Sequence, residues 1–255
     1  MEQRFAGKSA CVTGGGSGIG RAAAIAFARE GARVLIADVD DAGGKETLRL
    51  IAEHSGEASF LHTDVSRAAD VQALVRLAVE RYARLDCAFN NAGIGGGRVP
   101  LADVAEETWD RVFAVNAKGV YLCMQQEIRQ MLQQGGGGRI VNTASMAVFL
   151  ASVETPVYTA AKWAVASLTR SAAKAYAGKG IRINAVCPGR TDTPLMYRGR
   201  PGIPPDEVLR QANAATPMGR VASVEEVAQA VLWLCSDATS YTTGQLLTVD
   251  GGQYL

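Results

Sequence analysis

The chain has 255 residues, 48% of them apolar and 20% charged, with a formal net charge of +1. This is an ordinary globular balance, and near-neutral charge gives no electrostatic reason to expect nucleic acid or an anionic membrane as a partner. No stretch approaches the ~20 apolar residues that span a bilayer, and the opening "MEQRFAGKSACVTGG" carries charge and no long apolar run, so no signal peptide is expected and the protein reads as cytoplasmic.

In chain order, "SACVT" (9–13) predicts a first strand and "IGRAAAIAFAREG" (19–31) a helix, rich in Ala and stopped at Gly31. "RVLIAD" (33–38) is a second strand, followed by helical "DAGGKETLRLIAEH", weakened by its two glycines. "ASFLHTD" (58–64) is strand three and "ADVQALVRLAVERY" (69–82) an amphipathic helix. "LDCAFNNAG" (85–93) runs from strand four into a loop. A long helix covers 106 to 133, with a break expected near Gly119, and "RIVNTAS" (139–145) is strand five. "PVYTAAKWAVASLTRSAAKAYA" (156–177) is helical with Pro in its first turn. "IRINAVCPG" (181–189), "VEEVAQAVLWLCS" (224–236) and "GQLLTVDGG" (244–252) complete the pattern as strand, helix and strand.

Strand–helix alternation means right-handed crossovers and a parallel sheet covered on both faces, and the near-continuous apolar strands fit that burial. No repeat or linker divides the chain. The expectation is α/β: a single-domain Rossmann fold over 1–255, a doubly wound seven-stranded parallel sheet flanked by helices. The glycine runs 95–97 and 135–138 are loops. The one long irregular stretch is 188–222, and loops of that length are usually functional or mobile.

Five cysteines stand at 11, 87, 123, 187 and 235 with no C-x-x-C pair, and His54 and His62 have no metal-ligand spacing. Buried small hydrophobes, and no metal site, are expected.

"TGGGSGIG" (13–20) does not fit G-x-G-x-x-G: counted from Gly14 the third glycine falls on Ile19, and from Gly18 on Ala23. It fits T-G-x-x-x-G-x-G, with Thr13, Gly14, Gly18 and Gly20. It lies between strand one and the first helix, where such sheets seat a dinucleotide pyrophosphate against helix amides. Gly14 then serves a sharp turn, Gly18 close approach of backbone to the cofactor, and Gly20 close packing of helix on sheet. A plain surface turn is the alternative.

This loop resembles the fingerprint of the classical short-chain dehydrogenases/reductases. The resemblance recurs along nearly the whole chain, in "NNAG" (90–93), "VN" (115–116), Ser145, "YTAAK" (158–162) and "PG" (188–189). The combination is far more specific than any member of it.

Tyr158 and Lys162 are four apart on a predicted helix and share one face. A phenol ionises near 10 and is a poor acid–base group at neutral pH; a nearby ammonium favours the phenolate. Taken alone, the pair is also what an ordinary helix surface offers. Ser145 ends strand five, at the sheet edge where ligands of such folds bind. The resemblance implies that Ser145 holds the substrate oxygen and Tyr158 exchanges its proton. It implies that Lys162 binds the nicotinamide ribose and that Asn116 holds a water linking Lys162 to solvent. A buried Asn that bends the helix is the structural alternative for Asn116.

The same resemblance assigns the cofactor contacts. Asp64 and Val65 meet adenine, and Asn90 or Asn91 with Ala92 and Gly93 lines the adenine-ribose side. Ser17, Gly18, Ile19 and Gly20 flank the phosphates beside Gly14. Pro188 and Gly189 precede Thr191, which replaces the family's usual aliphatic residue, and Thr193 bonds the carboxamide. Asp38 follows Gly20 by eighteen residues, where an acid accepts hydrogen bonds from the ribose hydroxyls and repels a 2′-phosphate. NAD is therefore expected; a cap on the following helix is the other reading of Asp38.

The segment "MAVFLASVETPV" between Ser145 and Tyr158 is largely apolar and suits an uncharged, moderately hydrophobic or cyclic alcohol or ketone. Arg98, Arg190 and Arg198 are taken as solvated loop charges. The 188–222 stretch is expected to close over the substrate. The function expected is an NAD-dependent oxidoreductase on a small-molecule secondary alcohol or ketone. An NADPH-dependent 3-ketoacyl reductase and a nucleotide-binding sensor without catalysis are the alternatives. The resemblance also implies a homotetramer, paired through the helices near 106–133 and 156–177 and the apolar end "LLTVDGGQYL".

Overall fold

The computed structural model describes residues 3–150, 152–200 and 202–254. Met1, Glu2, Ala151, Pro201 and Leu255 lie outside the described residues; they fall in the amino-terminal stretch, the apolar segment, the 188–222 stretch and the carboxyl end discussed above. One seven-stranded parallel sheet organises the chain, in the order β3-β2-β1-β4-β5-β6-β7. The strands are β1 (Ser9–Thr13), β2 (Arg33–Asp38), β3 (Ala58–His62), β4 (Cys87–Asn90), β5 (Gly138–Thr143), β6 (Ile181–Pro188) and β7 (Leu246–Val249). The helices are α1 (Gly18–Arg29), α2 (Asp41–Ala52), α3 (Ala68–Tyr82), α4 (Glu106–Phe113), α5 (Gly119–Gln134), α6 (Pro156–Tyr176), α7 (Pro194–Arg198), α8 (Pro205–Ala214) and α9 (Val224–Cys235).

The first three strands step outward in one direction and β4 returns to the other side of β1. A crevice opens at that reversal, beyond the carboxyl ends of the strands. Both sheet faces are covered because neighbouring strand residues point opposite ways. Cys11, Leu35 and Ile140 face a core shared with α3, α5 and α6. Val12, Ile36 and Val141 face the core of α1 and α9, which includes Phe27 and Leu232. All five cysteines are buried and free. Among the described residues no helix is long and apolar enough to cross a membrane.

Three expectations need correction. The helix over 106–133 does not break at Gly119. One wider turn with π-helical bonding, Ala114–Lys118, joins α4 to α5. Gly119 serves close packing instead, since a Cβ built there would lie 2.8 Å from Cγ2 of Val65. The 188–222 stretch is not irregular throughout, for Pro194 and Pro205 open α7 and α8 at the position where a missing amide does no harm. α2 ends at Ala52, two residues short of the expected stretch, and its two glycines are accommodated within it. Asp40 caps the helix, its Oδ1 accepting from the amides of Ala42 and Gly43 at 3.1 Å. Gly44 lets it settle on β3, where a Cβ would stand 2.1 Å from the Phe60 ring.

Candidate active site

The glycine loop is braced on several sides. Gly14 adopts φ +64°, and a Cβ there would meet Cα of Ala92 at 2.8 Å, so the turn and the β4 loop require glycine together. Thr13 Oγ1 accepts from the amides of Asn91 and Ala92 at 3.0 and 3.2 Å. Asn91 Nδ2 donates to the carbonyls of Thr13 and Gly14 at 3.3 and 3.2 Å. The Arg21 guanidinium bonds the Gly16 carbonyl and donates through Nε to Thr47 Oγ1 at 3.1 Å, while the Thr47 hydroxyl lies 2.9 Å from the Gly15 carbonyl. Nothing in the sequence marks Arg21 and Thr47, because their pairing spans 26 residues. Ser17 stands at the N-cap of α1 but makes no side-chain bond to its first turn. The turn therefore keeps free amides and the positive end of the helix dipole.

Asp38 ends β2 with its Oδ2 accepting from the Gly16 amide at 2.8 Å and its Oδ1 from the Asp40 amide at 3.0 Å. Asp40, not Asp38, caps α2. A cavity of about 450 Å³ opens over the loop. Of the expected residues, Gly14, Ser17, Gly18, Ile19, Asp38, Asp64, Val65, Asn91, Ala92, Gly93, Ser145, Tyr158, Lys162, Pro188, Gly189, Thr191 and Thr193 line it. Free helix amides, glycine where a side chain would block the floor, and a carboxylate at one end form a donor set that fits a dinucleotide.

Gly20, Asn90 and Asn116 are not on that wall. A Cβ on Gly20 would stand 2.0 Å from the Gly14 carbonyl oxygen, so Gly20 lets α1 pack against the loop itself rather than against the sheet. Asn90 points to the opposite face from Asn91, by strand alternation. It is buried, its Nδ2 donating to Glu127 Oε2 at 2.9 Å and Asn142 Oδ1 at 3.0 Å. Asp64 Oδ1 is engaged by the amide and hydroxyl of Ser66 at 2.9 and 2.7 Å.

Pro156 opens α6, which carries Tyr158 and Lys162 into the cleft. Lys162 is 2% exposed, with Nζ donating to the Thr143 carbonyl at 2.7 Å and lying 5.6 Å from the centre of the Tyr158 ring. Burial pushes its ammonium down to about 8. Burial raises the Tyr158 phenol above its ordinary value, against a lowering hydrogen bond from Ser145. The expected depression of Tyr158 by Lys162 is thus absent, because the ammonium is drawn to Thr143 and desolvation prevails. Ser145 follows β5, its Oγ accepting from the Ala147 amide at 3.1 Å. Asn116, in the widened turn, is fully buried. It clasps the backbone of Ile94, accepting from its amide and donating to its carbonyl, both at 2.8 Å. A Cβ on Gly93 would lie 3.4 Å from Asn116 Oδ1 and 3.7 Å from Lys162 Nζ, so Gly93 keeps open the gap between them.

Past β6, Thr191 is buried and bridges to Ala222. Thr193 lies over the loop, its Cγ2 3.4 Å from a Cβ built on Gly18. Leu195 and Met196 of α7 also line the cleft, unannounced by any motif. A second cavity of about 870 Å³ adjoins the first. Arg98 and Arg198 stand on its wall and Arg190 on that of the first. Arg98 and Arg198 are exposed, as solvated charges are, while Arg190 is half-buried. Among the described residues no three His, Cys, Asp or Glu side chains gather where an ion could sit.

Residues 14–253 match a family model described as enoyl-(acyl carrier protein) reductase. The short chain dehydrogenase/reductase astE of Aspergillus oryzae is 41% identical over 254 residues, covering 98% of this chain and 97% of the relative. The chain belongs to the short-chain dehydrogenase/reductase family. Another relative, the cis-4-hydroxycyclohexanecarboxylate dehydrogenase of Sinomonas cyclohexanicum, is 41% identical over 252 residues, with 99% and 98% of the two chains covered. Among solved structures, that of levodione reductase matches with a TM-score of 0.94 at 36% identity, covering 98% of this chain and 99% of that one. By family this short-chain dehydrogenase/reductase is an oxidoreductase with a nicotinamide coenzyme.

Proposed function

We propose that the protein is an NAD-linked dehydrogenase/reductase that interconverts a secondary alcohol and its ketone on a small cyclic substrate. The observation that carries this reading is the convergence of Ser145, Tyr158 and Lys162 on the cleft at the carboxyl edge of β5. The free amides of α1 would hold the pyrophosphate, Asp38 the adenosine ribose, Asp64 and Val65 the adenine, and Thr193 the carboxamide. When bound, the coenzyme supplies or takes the hydride.

The chain's own work is to hold the substrate oxygen and move its proton. Ser145 Oγ is oriented by the Ala147 amide and bonds Tyr158; with substrate bound, its hydroxyl would donate to the substrate oxygen. Tyr158 gives a proton to that oxygen in reduction and removes it in oxidation. Lys162, charged below about pH 8, would hold the nicotinamide ribose. Asn116 fixes the widened turn beside Lys162, where a water would complete the route to solvent. α7 and α8 would cover the site. Ring substrates are favoured because Ile94, Leu195 and Met196 offer apolar walls and because one of the similar proteins is named a cis-4-hydroxycyclohexanecarboxylate dehydrogenase. An NADPH-linked acyl reductase fits less well, since with the adenosine ribose at Asp38 a 2′-phosphate would face its carboxylate.

A panel of cyclic and open-chain secondary alcohols and ketones, assayed with both coenzymes, tests the proposal. Tyr158→Phe is expected to lose ~10²–10⁴-fold in kcat while NADH affinity stays within about threefold. Wild-type turnover by the Phe variant would sink the proton assignment. Coenzyme binding without turnover of any compound would leave a sensor.

A further inference from the structure

The second cavity has an unusual wall. Four arginines face it, Arg98, Arg111, Arg198 and Arg200, against a single carboxylate, Glu154, which is paired with Arg98. Glu154 neutralises one of the four. Arg200 spends one nitrogen on a neutral partner, donating to Gln211 Oε1 at 3.2 Å. Among the described residues no side-chain bond occupies Arg111 or Arg198. The guanidiniums also feel one another: apart from burial, it is Arg200 and then Arg190 that depress the ionisation of Arg98, and Arg200 that depresses that of Arg190. Such crowding is unfavourable in the empty protein and is relieved when an anion enters. Arg98, Arg111 and Arg198 are exposed and Arg200 is half-buried, and all four line one concavity. That cavity is continuous with the reaction cleft, because Ser17, Gly93, Ile94, Pro194, Leu195 and Arg198 line both.

We propose that this outer cavity is a carboxylate subsite, so that the substrate is a cyclic hydroxy acid or keto acid whose acid group lies on Arg198 and Arg200 while its carbinol reaches Ser145 and Tyr158. The inference rests on the oxidoreductase reading above and replaces the uncharged substrate expected from the apolar segment. Ile94 and Leu195, which line both cavities, supply an apolar wall for the ring; the arginines supply the anchor. The planar guanidinium fork matches a carboxylate in two parallel bonds, and the long reach of an arginine suits an anchor remote from the reacting carbon.

The test uses inert probes. Cyclohexanecarboxylate and cyclohexanecarboxamide are titrated into the full-length, NADH-saturated enzyme by calorimetry. The carboxylate is expected to bind at least about tenfold tighter, with the advantage shrinking as salt rises. Arg198→Gln and Arg200→Gln are expected to cut that ratio, and Arg198→Lys to restore part of it. Equal affinity, binding of neither probe, or a ratio unchanged in both Gln variants overturns the subsite. Turnover separates the two claims. If 4-methylcyclohexanol is oxidised and 4-hydroxycyclohexanecarboxylate is not, the subsite fails and the oxidoreductase stands. If neither is oxidised with either coenzyme while the carboxylate binds selectively, the subsite stands and the proposed reaction falls.

Discussion

Asp38 presents the site's coenzyme preference as a question about one carboxylate. It is held in place by the amides of Gly16 and Asp40, so it cannot swing away from a 2′-phosphate without opening the glycine loop. Two unit charges ~4 Å apart repel by roughly 4 kcal/mol at an effective dielectric of ~20, and each 1.4 kcal/mol is about a factor of ten. The positions that would offer a rescuing cation hold Ser17, Val39 and Asp40. We expect kcat/KM to favour NAD over NADP by more than about tenfold. Asp38→Ala should narrow that gap and weaken NAD binding, the more so because Gly16 loses its anchor. Equal kcat/KM for the two coenzymes in the wild type would refute the role given to Asp38.

At the scale of elements, a polar chain ties α5, β4, β5 and α6 together beneath the site. Glu127 accepts from Asn90, Asn90 donates on to Asn142, and Asn142 Nδ2 donates to Thr169 Oγ1 at 2.9 Å. Burial pushes the Glu127 carboxyl up to about 7 from 4.5, against the lowering effect of Asn90. Between these values the native protein keeps a proton that the unfolded chain has released. Stability from this group is therefore full below pH 4.5 and lost as pH rises through 7, by at most on the order of 3 kcal/mol. Glu127→Gln should remove that slope, so its Tm advantage over the wild type should grow from pH 5 to pH 8. Parallel Tm profiles would contradict it.

The same elements show what a sequence makes legible. Long apolar strands and alanine-rich helices are declared by composition, and all seven strands lie where the periodicity puts them. The turn at 114–118 is not declared, because one extra residue in a helical turn leaves no trace in residue type. Nor are α7 and α8, whose prolines read equally as loop. Family motifs locate most of the cleft residues but leave Asn90 and Asn91 open between them, since a strand one residue longer or shorter reverses which asparagine faces the ligand. The bracing of the glycine loop by Arg21 and Thr47, and the ring of arginines, arise only when distant segments meet.

For the whole molecule, Trp109, Tyr121 and Trp163 stand exposed on α4, α5 and α6. Such large side chains on adjoining helices favour burial against another copy, and we infer a homotetramer. Light scattering at micromolar concentration should return about four chain masses, and Trp163→Glu should lower that value. A monomeric wild type would remove the inference.

The contrast between the two walls of the cleft has a kinetic meaning. The glycine loop is braced before any ligand arrives, whereas α7 buries no residue and α8 only Val208 and Ala212. A rigid wall binds with little ordering entropy; a loosely held one must first find something to rest on. Only Thr193, at the head of that wall, approaches the glycine loop near Gly18, and a bound coenzyme would be the surface on which the rest assembles. The reaction should then run in compulsory order, coenzyme on first and off last. NADH is expected to inhibit competitively against NAD at every alcohol concentration, while the ketone inhibits non-competitively against NAD. Symmetrical competitive patterns would mean that either partner can enter an open cleft alone.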